Sequence, residues 1–126
     1  MIVLDASAVL AFLLRENGWT VVGPQMNGAG VSAVNLSEVL ARFAEVPMGD
    51  ADVIFRQVTG LGCEFVPVTA THALTAAKLR PLTRSQGLSL GDRICLSLAI
   101  ERQCPAVTAD RNWAKLEIGI PIVLIR

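Results

Sequence analysis

Short apolar runs alternate along this chain with longer stretches in which apolar residues recur every three or four positions. The short runs predict buried strands, and the longer stretches predict helices with one apolar face. The predicted strands are residues 2–4, 31–34, 64–68, 106–108 and 122–125. The predicted helices are residues 7–14, 35–46, 51–59, 71–82 and 89–103. This alternation predicts a single domain, residues 1–126, with a three-layer α/β/α fold and a mainly parallel central sheet.

Four carboxylates stand where predicted strands end or predicted helices begin. Asp5 closes the first strand, and Asp110 follows the strand at 106–108. Glu38 and Asp92 are expected in the first turns of their helices. A helix that packs antiparallel to the strand it feeds begins at the edge where that strand ends. We therefore expect all four side chains at the carboxyl edge of the sheet, where open α/β sheets bind ligands.

Capping of helix N-termini is the alternative explanation for these acids. The four pairs of acid and helix start are Asn35 with Glu38, Ser89 with Asp92, Asp5 with Ser7, and Asp110 with Asn112. Capping explains each acid singly, but it does not require all of them to share one edge. It also gives Asp5 no reason to close an apolar strand when Ser7 is free to cap. The set as a whole therefore favours a metal site.

Electrostatics explains why such a set of acids needs a cation. Two carboxylates about 4 Å apart repel by about 4 kcal/mol at an effective dielectric near 20. Oxygen ligands select Mg²⁺ or Mn²⁺ over zinc, and these ions bind through a few carboxylates together with water and substrate phosphate. Such ions promote attack on a phosphodiester. The sequence therefore predicts an Mg²⁺ or Mn²⁺ site suited to phosphodiester hydrolysis.

Composition excludes several other classes of protein. The chain has 126 residues, a net charge of zero and a single histidine, and its three cysteines form no CxxC pair. These counts argue against zinc sites and hydrolase triads. The longest apolar run has seven residues, too few for a membrane span, and no basic segment precedes it as in a secretory signal. We expect a cytoplasmic protein with no membrane partner.

Four sequence blocks resemble the signature blocks of PIN domains, in particular those of VapC-type toxins of bacterial toxin–antitoxin pairs. The blocks are MIVLDASAVLAFLLRE, VSAVNLSEVLARF, GLSLGDRICLSLA and VTADRNW, and they follow the family's order across nearly the whole chain. The resemblance implies that the metal-binding and catalytic acids are Asp5, Glu38, Asp92 and Asp110. It also implies an Mg²⁺- or Mn²⁺-dependent endoribonuclease that acts on RNA, is commonly dimeric and is inhibited by a cognate antitoxin.

Substrate contacts are expected from polar residues near the four acids. The resemblance places the hydroxyls of Ser7 and Thr108 at the border of the site and makes Asn112 an accessory ligand. Arginines close to the acids in sequence are candidates for phosphate contact; they are Arg80, Arg84, Arg93 and Arg111. Trp19 and Trp113 could stack a base or be buried. The high apolar content also predicts a homodimer, with a second subunit on residues 8–14 and 36–46.

Other functions remain open at the level of sequence. A DNA-directed or flap-type nuclease would use the same carboxylates, and a non-catalytic binding module could keep the fold. The Asp5-Ala-Ser7 segment lacks the second Asp of an aspartyl-phosphatase loop. The chain ends in Ile125-Arg126 without the lysine of a phospho-receiver domain. These two classes therefore rank below the nuclease.

Overall fold

Five parallel strands form one sheet in a computed structural model that describes residues 1–126. The strands are β1 (Val3–Leu4), β2 (Gly30–Ser32), β3 (Glu64–Val66), β4 (Ala106–Thr108) and β5 (Ile122–Leu124). Their order across the sheet is β3-β2-β1-β4-β5, and every neighbouring pair is parallel. The predicted fold class is confirmed, and the sheet is parallel throughout.

Six α-helices connect and cover these strands. They are α1 (Ala6–Leu14), α2 (Trp19–Val22), α3 (Ala33–Ala44), α4 (Ala51–Gly60), α5 (Ala70–Thr83) and α6 (Leu90–Arg102). Three short 3-10 helices lie at Gly23–Gln25, Arg84–Gln86 and Arg111–Lys115. None of the helices combines the length and the apolar character that a membrane crossing requires.

Alternation of side chains along the strands separates two apolar cores, one on each face of the sheet. Leu4 and Val107 pack into a core with α1, whereas Val3 and Ala106 pack into a second core with α6. Trp113, from the last 3-10 helix, is fully buried in the second core. Both faces of the sheet are therefore covered, as expected for an all-parallel sheet.

Most element ends differ from the sequence prediction by one or two residues, and three differences bear on the site. Helix α1 is capped by Asp5 and not by Ser7, since Asp5 has an extended backbone and its carboxylate accepts the amide of Ala8. Strand β2 ends at Ser32, which is the N-cap of α3. Helix α3 therefore begins at Ala33, two residues earlier than predicted. Helix α2 was not predicted, because four residues cannot show helical periodicity.

Candidate active site at the carboxyl edge of the sheet

Asp5 is a buried carboxylate at the end of β1. Its amide donates to the carbonyl of Val107 in β4, which places the side chain at the carboxyl edge of the sheet. Oδ1 accepts hydrogen bonds from the Ala8 amide and the Ser7 hydroxyl, both at 2.8 Å, and Oδ2 accepts from Thr108 Oγ1 at 2.6 Å and from the shared Ser7 hydroxyl at 2.9 Å. The side chain is only 3% exposed. All its hydrogen bonds come from neutral donors, so no cationic side chain neutralises the charge.

The pKa of Asp5 reflects this incomplete compensation. Desolvation by burial raises it from 3.8 to about 6, although the hydrogen bonds from Thr108, Ala8 and Ser7 oppose the rise. The negative charge of Asp92 raises it further. The folded protein therefore holds a carboxylate whose ionised form is disfavoured, and a nearby cation would stabilise that form.

Thr108 joins Asp110 to this centre. Its hydroxyl donates to Asp5 and accepts from the amide of Asp110 at 3.0 Å. The Ser7 hydroxyl accepts from the amide of Ala109 at 2.9 Å, which fixes the same turn from the other side. The carboxylate of Asp110 accepts from the Asn112 amide and caps the following 3-10 helix. The hydroxyls predicted to border the site thus orient two of its acids.

Glu38 reaches the site through an amide clamp. Asn35, which is almost fully buried in α3, donates to Glu38 Oε1 at 2.8 Å and to the carbonyl of Gly91 in α6 at 3.1 Å. A Cβ atom on Gly91 would lie 2.6 Å from Glu38 Oε1. Only glycine at this position lets the carboxylate approach α6 so closely. The predicted capping box of Asn35 and Glu38 is wrong, because α3 begins earlier and Glu38 lies beyond its first turn.

Asp92 lies next to Gly91 in the first turn of α6. It forms the predicted capping box with Ser89, whose amide donates to Asp92 Oδ2 at 2.9 Å. One turn later, burial raises the pKa of the Cys95 thiol well above its usual range, and the charges of Asp5, Asp92 and Glu38 raise it further. Three carboxylates from separate chain segments therefore act on one buried thiol.

The capping interpretation is confirmed for Asp5, Asp92 and Asp110, and it is wrong for Glu38. Capping uses only one oxygen of Asp92 and of Asp110, so it leaves acceptor capacity at this edge of the sheet. No three His, Cys, Asp or Glu side chains lie close enough together to surround an ion directly. The oxygen donors and the uncompensated Asp5 charge nevertheless fit a hard divalent cation, because Mg²⁺ retains several waters and needs only one or two carboxylates.

Arg93, a predicted substrate contact, and Trp113, for which stacking and burial were both open, are buried in the structure. Arg93 is buried, and its guanidinium donates to the carbonyl of Ala76 in α5 at 2.9 Å, so the prediction that it contacts substrate is wrong. Trp113 is fully buried and cannot stack on a base. Arg84 and Asn112 are exposed, with no ion pair at Arg84. They keep their place as candidates for substrate contact.

Asn35 and Gly91 are the residues that sequence reasoning missed. Asn35 was interpreted as a helix cap, and Gly91 as an ordinary member of the Ser89–Asp92 box. Both act across the 56 residues that separate them in the chain, so no local pattern identifies their contact. The Oδ1 atom of Asn35 is buried without a partner, which leaves a polar atom unsatisfied beside Glu38.

Comparison with known proteins gives the same family as the sequence blocks. The PIN domain family matches residues 2–119. A toxin–antitoxin complex from Klebsiella pneumoniae is similar in structure, with a TM-score of 0.78, 15% identity, and coverage of 100% of this chain and 98% of that one. DNA-bound VapBC from Salmonella typhimurium has a TM-score of 0.76, 14% identity, and coverage of 99% and 98%.

A third similar structure is VapC20 from Mycobacterium tuberculosis, described as a toxin that cleaves the sarcin–ricin loop. Its TM-score is 0.72 at 15% identity, with coverage of 96% of this chain and 99% of that one. No curated protein sequence matches the chain significantly. At these identities the three structures establish a shared fold.

Proposed function

The chain belongs to the PIN domain family, and on that premise we propose that it is an Mg²⁺- or Mn²⁺-dependent endoribonuclease, the toxin of a toxin–antitoxin pair. The observation that carries the proposal is the buried, uncompensated carboxylate of Asp5 with the charges of Glu38 and Asp92 close by. A fold that needed these acids only as caps would gain nothing from placing one of them in a desolvated position.

Asp5, Glu38, Asp92 and Asp110 would hold the ion. A bound Mg²⁺ or Mn²⁺ would supply charge stabilisation and a polarised water for in-line attack on a phosphodiester. The hydroxyls of Ser7 and Thr108 fix the orientation of the Asp5 carboxylate, and the amide of Asn35 fixes that of Glu38. With the hydrogen bonds from Ser89 to Asp92 and from Asn112 to Asp110, all four acids are held by neighbours before any ligand arrives, which lowers the reorganisation that catalysis requires.

RNA is the substrate that we propose. The similar VapC20 is a toxin that cleaves the sarcin–ricin loop, which supports RNA over DNA. Arg84 and Asn112, exposed near the last 3-10 helix, are the candidates for contact with it. A DNA-directed or flap-type nuclease would use the same carboxylates, so the choice of nucleic acid is part of the test.

An antitoxin is the proposed protein partner, since the similar structures include toxin–antitoxin complexes. A groove of about 470 Å³ between α1, α2 and α4 offers it a lining of apolar and basic residues. Phe12, Leu13 and Trp19 line the groove together with Arg15 and Arg56. The groove contains no acidic residue, and an acidic amphipathic segment would complement it.

A homodimer also remains part of the proposal. Within residues 8–14 the structure buries Ala8, Val9 and Ala11 in the core, so they cannot contact a second subunit. Leu14 and Val46 in the two predicted segments are 39% and 49% exposed, and α5 also exposes large apolar side chains, Leu74 at 57% and Leu82 at 63%. We therefore keep the proposed subunit contact at residues 8–14 and 36–46 and extend it to this helix.

The decisive experiment incubates the purified protein with total RNA and, separately, with single-stranded and flap DNA. Each reaction contains Mn²⁺, Mg²⁺ or EDTA, and the product ends are mapped by sequencing. We expect discrete RNA cuts with either metal and none with EDTA or with the Asp92→Asn variant, in which the helix cap is retained. Equal cutting in EDTA would contradict the metal mechanism. Cutting of DNA alone would show that the protein is the DNA-directed or flap-type nuclease and not an endoribonuclease.

A further inference from the structure

A polar recess lies beside Asp110, between the 3-10 helices Arg84–Gln86 and Arg111–Lys115. Its volume is about 210 Å³. The residues that line it are Ser85, Gln86, Arg111, Asn112, Ala114 and Lys115. Pockets for drug-sized ligands begin at about 300 Å³ and are mostly apolar. This recess is smaller and almost entirely polar, so it suits a small charged group.

The charge of the recess is positive and has no internal partner. Arg111 and Lys115 line it, and no acidic residue does. The three ion pairs of the protein involve other cations: His72, Arg102 and Arg126. The nearest acid in sequence, Asp110, directs a carboxylate oxygen to the amide of Asn112. In a chain with a net charge of zero, two unpaired cations in one recess form a local site for an anion.

Neutral donors complete the lining. The Ser85 hydroxyl donates to Gln86 Oε1 at 3.0 Å, which leaves the Gln86 amide nitrogen free to donate into the recess. The side chain of Asn112 makes no hydrogen bond within the protein, and its amide group is a further donor. Arginine, lysine, amide and hydroxyl groups are the side chains that bind phosphate oxygens in nucleic-acid complexes.

The backbone that carries the cations is anchored in the core. Trp113 is fully buried and Leu116 is 9% exposed, and both pack with α6 and β4. Because a 3-10 helix has three residues per turn, residues 113 and 116 point inward together. Arg111, Asn112 and Lys115 therefore remain on the solvent side of a fixed segment, so only side-chain freedom is lost when an anion binds.

We infer that this recess is a phosphate subsite that binds the RNA backbone next to the scissile bond. The inference rests on the proposed function for the identity of the polymer. Asp110 directly precedes Arg111, and Thr108 connects Asp110 to Asp5, so the recess is contiguous with the carboxylates. A phosphate bound here would hold the strand in register with the acids, and Arg111 could contact it through two parallel hydrogen bonds.

The test is RNA binding by the full chain in EDTA, measured by fluorescence anisotropy of a labelled single strand across a range of salt. The variant is Arg111→Gln with Lys115→Gln, and the control is Lys78→Gln, an exposed lysine on α5 with no ion pair. We expect the variant to bind about tenfold more weakly. A plot of log affinity against log salt concentration has a negative slope, and the magnitude of that slope should decrease by about 0.7 for each phosphate that the variant no longer neutralises. The control should match wild type.

Cleavage with Mn²⁺ provides the second readout. We expect the double variant to lower kcat/KM about tenfold, mainly through a higher KM, because its carboxylates are intact. Wild-type affinity and salt slope in the double variant would overturn the subsite while leaving the nuclease proposal in place. Loss of antitoxin binding with unchanged RNA binding would also overturn it, in favour of an acidic protein segment. RNA binding that depends on the two cations, without metal-dependent cutting, would support the subsite and refute the proposed function.

Discussion

Replacement of Asp5 by Asn separates a metal-site carboxylate from a helix cap. Burial raises the pKa of Asp5 from 3.8 to about 6. At 1.36 kcal/mol per unit, ionisation of this group costs about 3 kcal/mol more in the folded protein than in the unfolded chain. An amide carries no charge, so Asp5→Asn should stabilise the metal-free protein by about 2 to 3 kcal/mol at pH 7.

The hydrogen bonds around residue 5 can accommodate the amide. In Asp5→Asn, Oδ1 can still accept from Ala8 and Ser7, and Nδ2 can donate to the hydroxyl oxygen of Thr108. The Thr108 hydroxyl can then donate to Ser7 Oγ, which lies 3.2 Å away. The second hydrogen of Nδ2 finds no acceptor among these groups, which places the expected gain at the lower end of this range.

The pH dependence gives the sign of the effect. Because the folded pKa of Asp5 lies above the unfolded value, its contribution to wild-type stability is complete below pH 3.8 and is lost as the pH rises through about 6. The advantage of Asp5→Asn should therefore be close to zero at pH 3.5, about half its full size at pH 5, and complete at pH 7. Urea unfolding in EDTA at these pH values measures it.

Asp50 offers a matched control. It is exposed and caps α4 by accepting the amides of Asp52 and Val53, and Asp52 is the only acid in the first turn of that helix. Asp50→Asn should change stability by less than about 0.5 kcal/mol at every pH, because Asn and Asp cap equally well. In Mn²⁺ the melting temperature of wild type should rise and that of Asp5→Asn should rise less. A variant that is less stable than wild type at pH 7 in EDTA would refute the reasoning about Asp5.

Three further predictions follow from the site and its surroundings. Gly91→Ala should lower cleavage by about tenfold or more through displacement of Glu38, while the melting temperature stays unchanged or rises because Ala favours a helix. Gly60→Ala, which has open space around it, is the control. Full activity of the Gly91→Ala variant would contradict the proposed role of Gly91 in positioning Glu38. His72→Leu should destabilise the fold by about 2 to 3 kcal/mol in urea unfolding, since buried His72 bonds Glu101 at 2.7 Å and accepts from Thr69, but activity per folded molecule should be retained. Light scattering at micromolar concentration should give a dimer that Leu74→Glu converts to a monomer; a monomeric wild type would exclude the proposed α5 contact.

Local patterns in the sequence determined the elements and the positions of the acids along the chain. Apolar runs such as 106–108 and the helical stretch at 51–59 identified β4 and α4, because strand and helix periodicities depend on near neighbours. The Ser89–Asp92 capping box was also correct, since both partners lie within one turn. The parallel connections required by alternating strands and helices placed Asp5 and Asp110 at one edge of the sheet.

Tertiary structure alone decided which side chains meet across that edge. The burial of Arg93 depends on α5 packing against α6, and the position of Glu38 depends on Asn35 reaching Gly91. The cationic recess exists because Trp113 anchors a 3-10 helix in the core beside Arg84–Gln86. Each contact joins segments that are distant in the chain. Its free energy comes from the packing of the whole domain, and a pattern of neighbouring residues contains no information about which distant surface will face it.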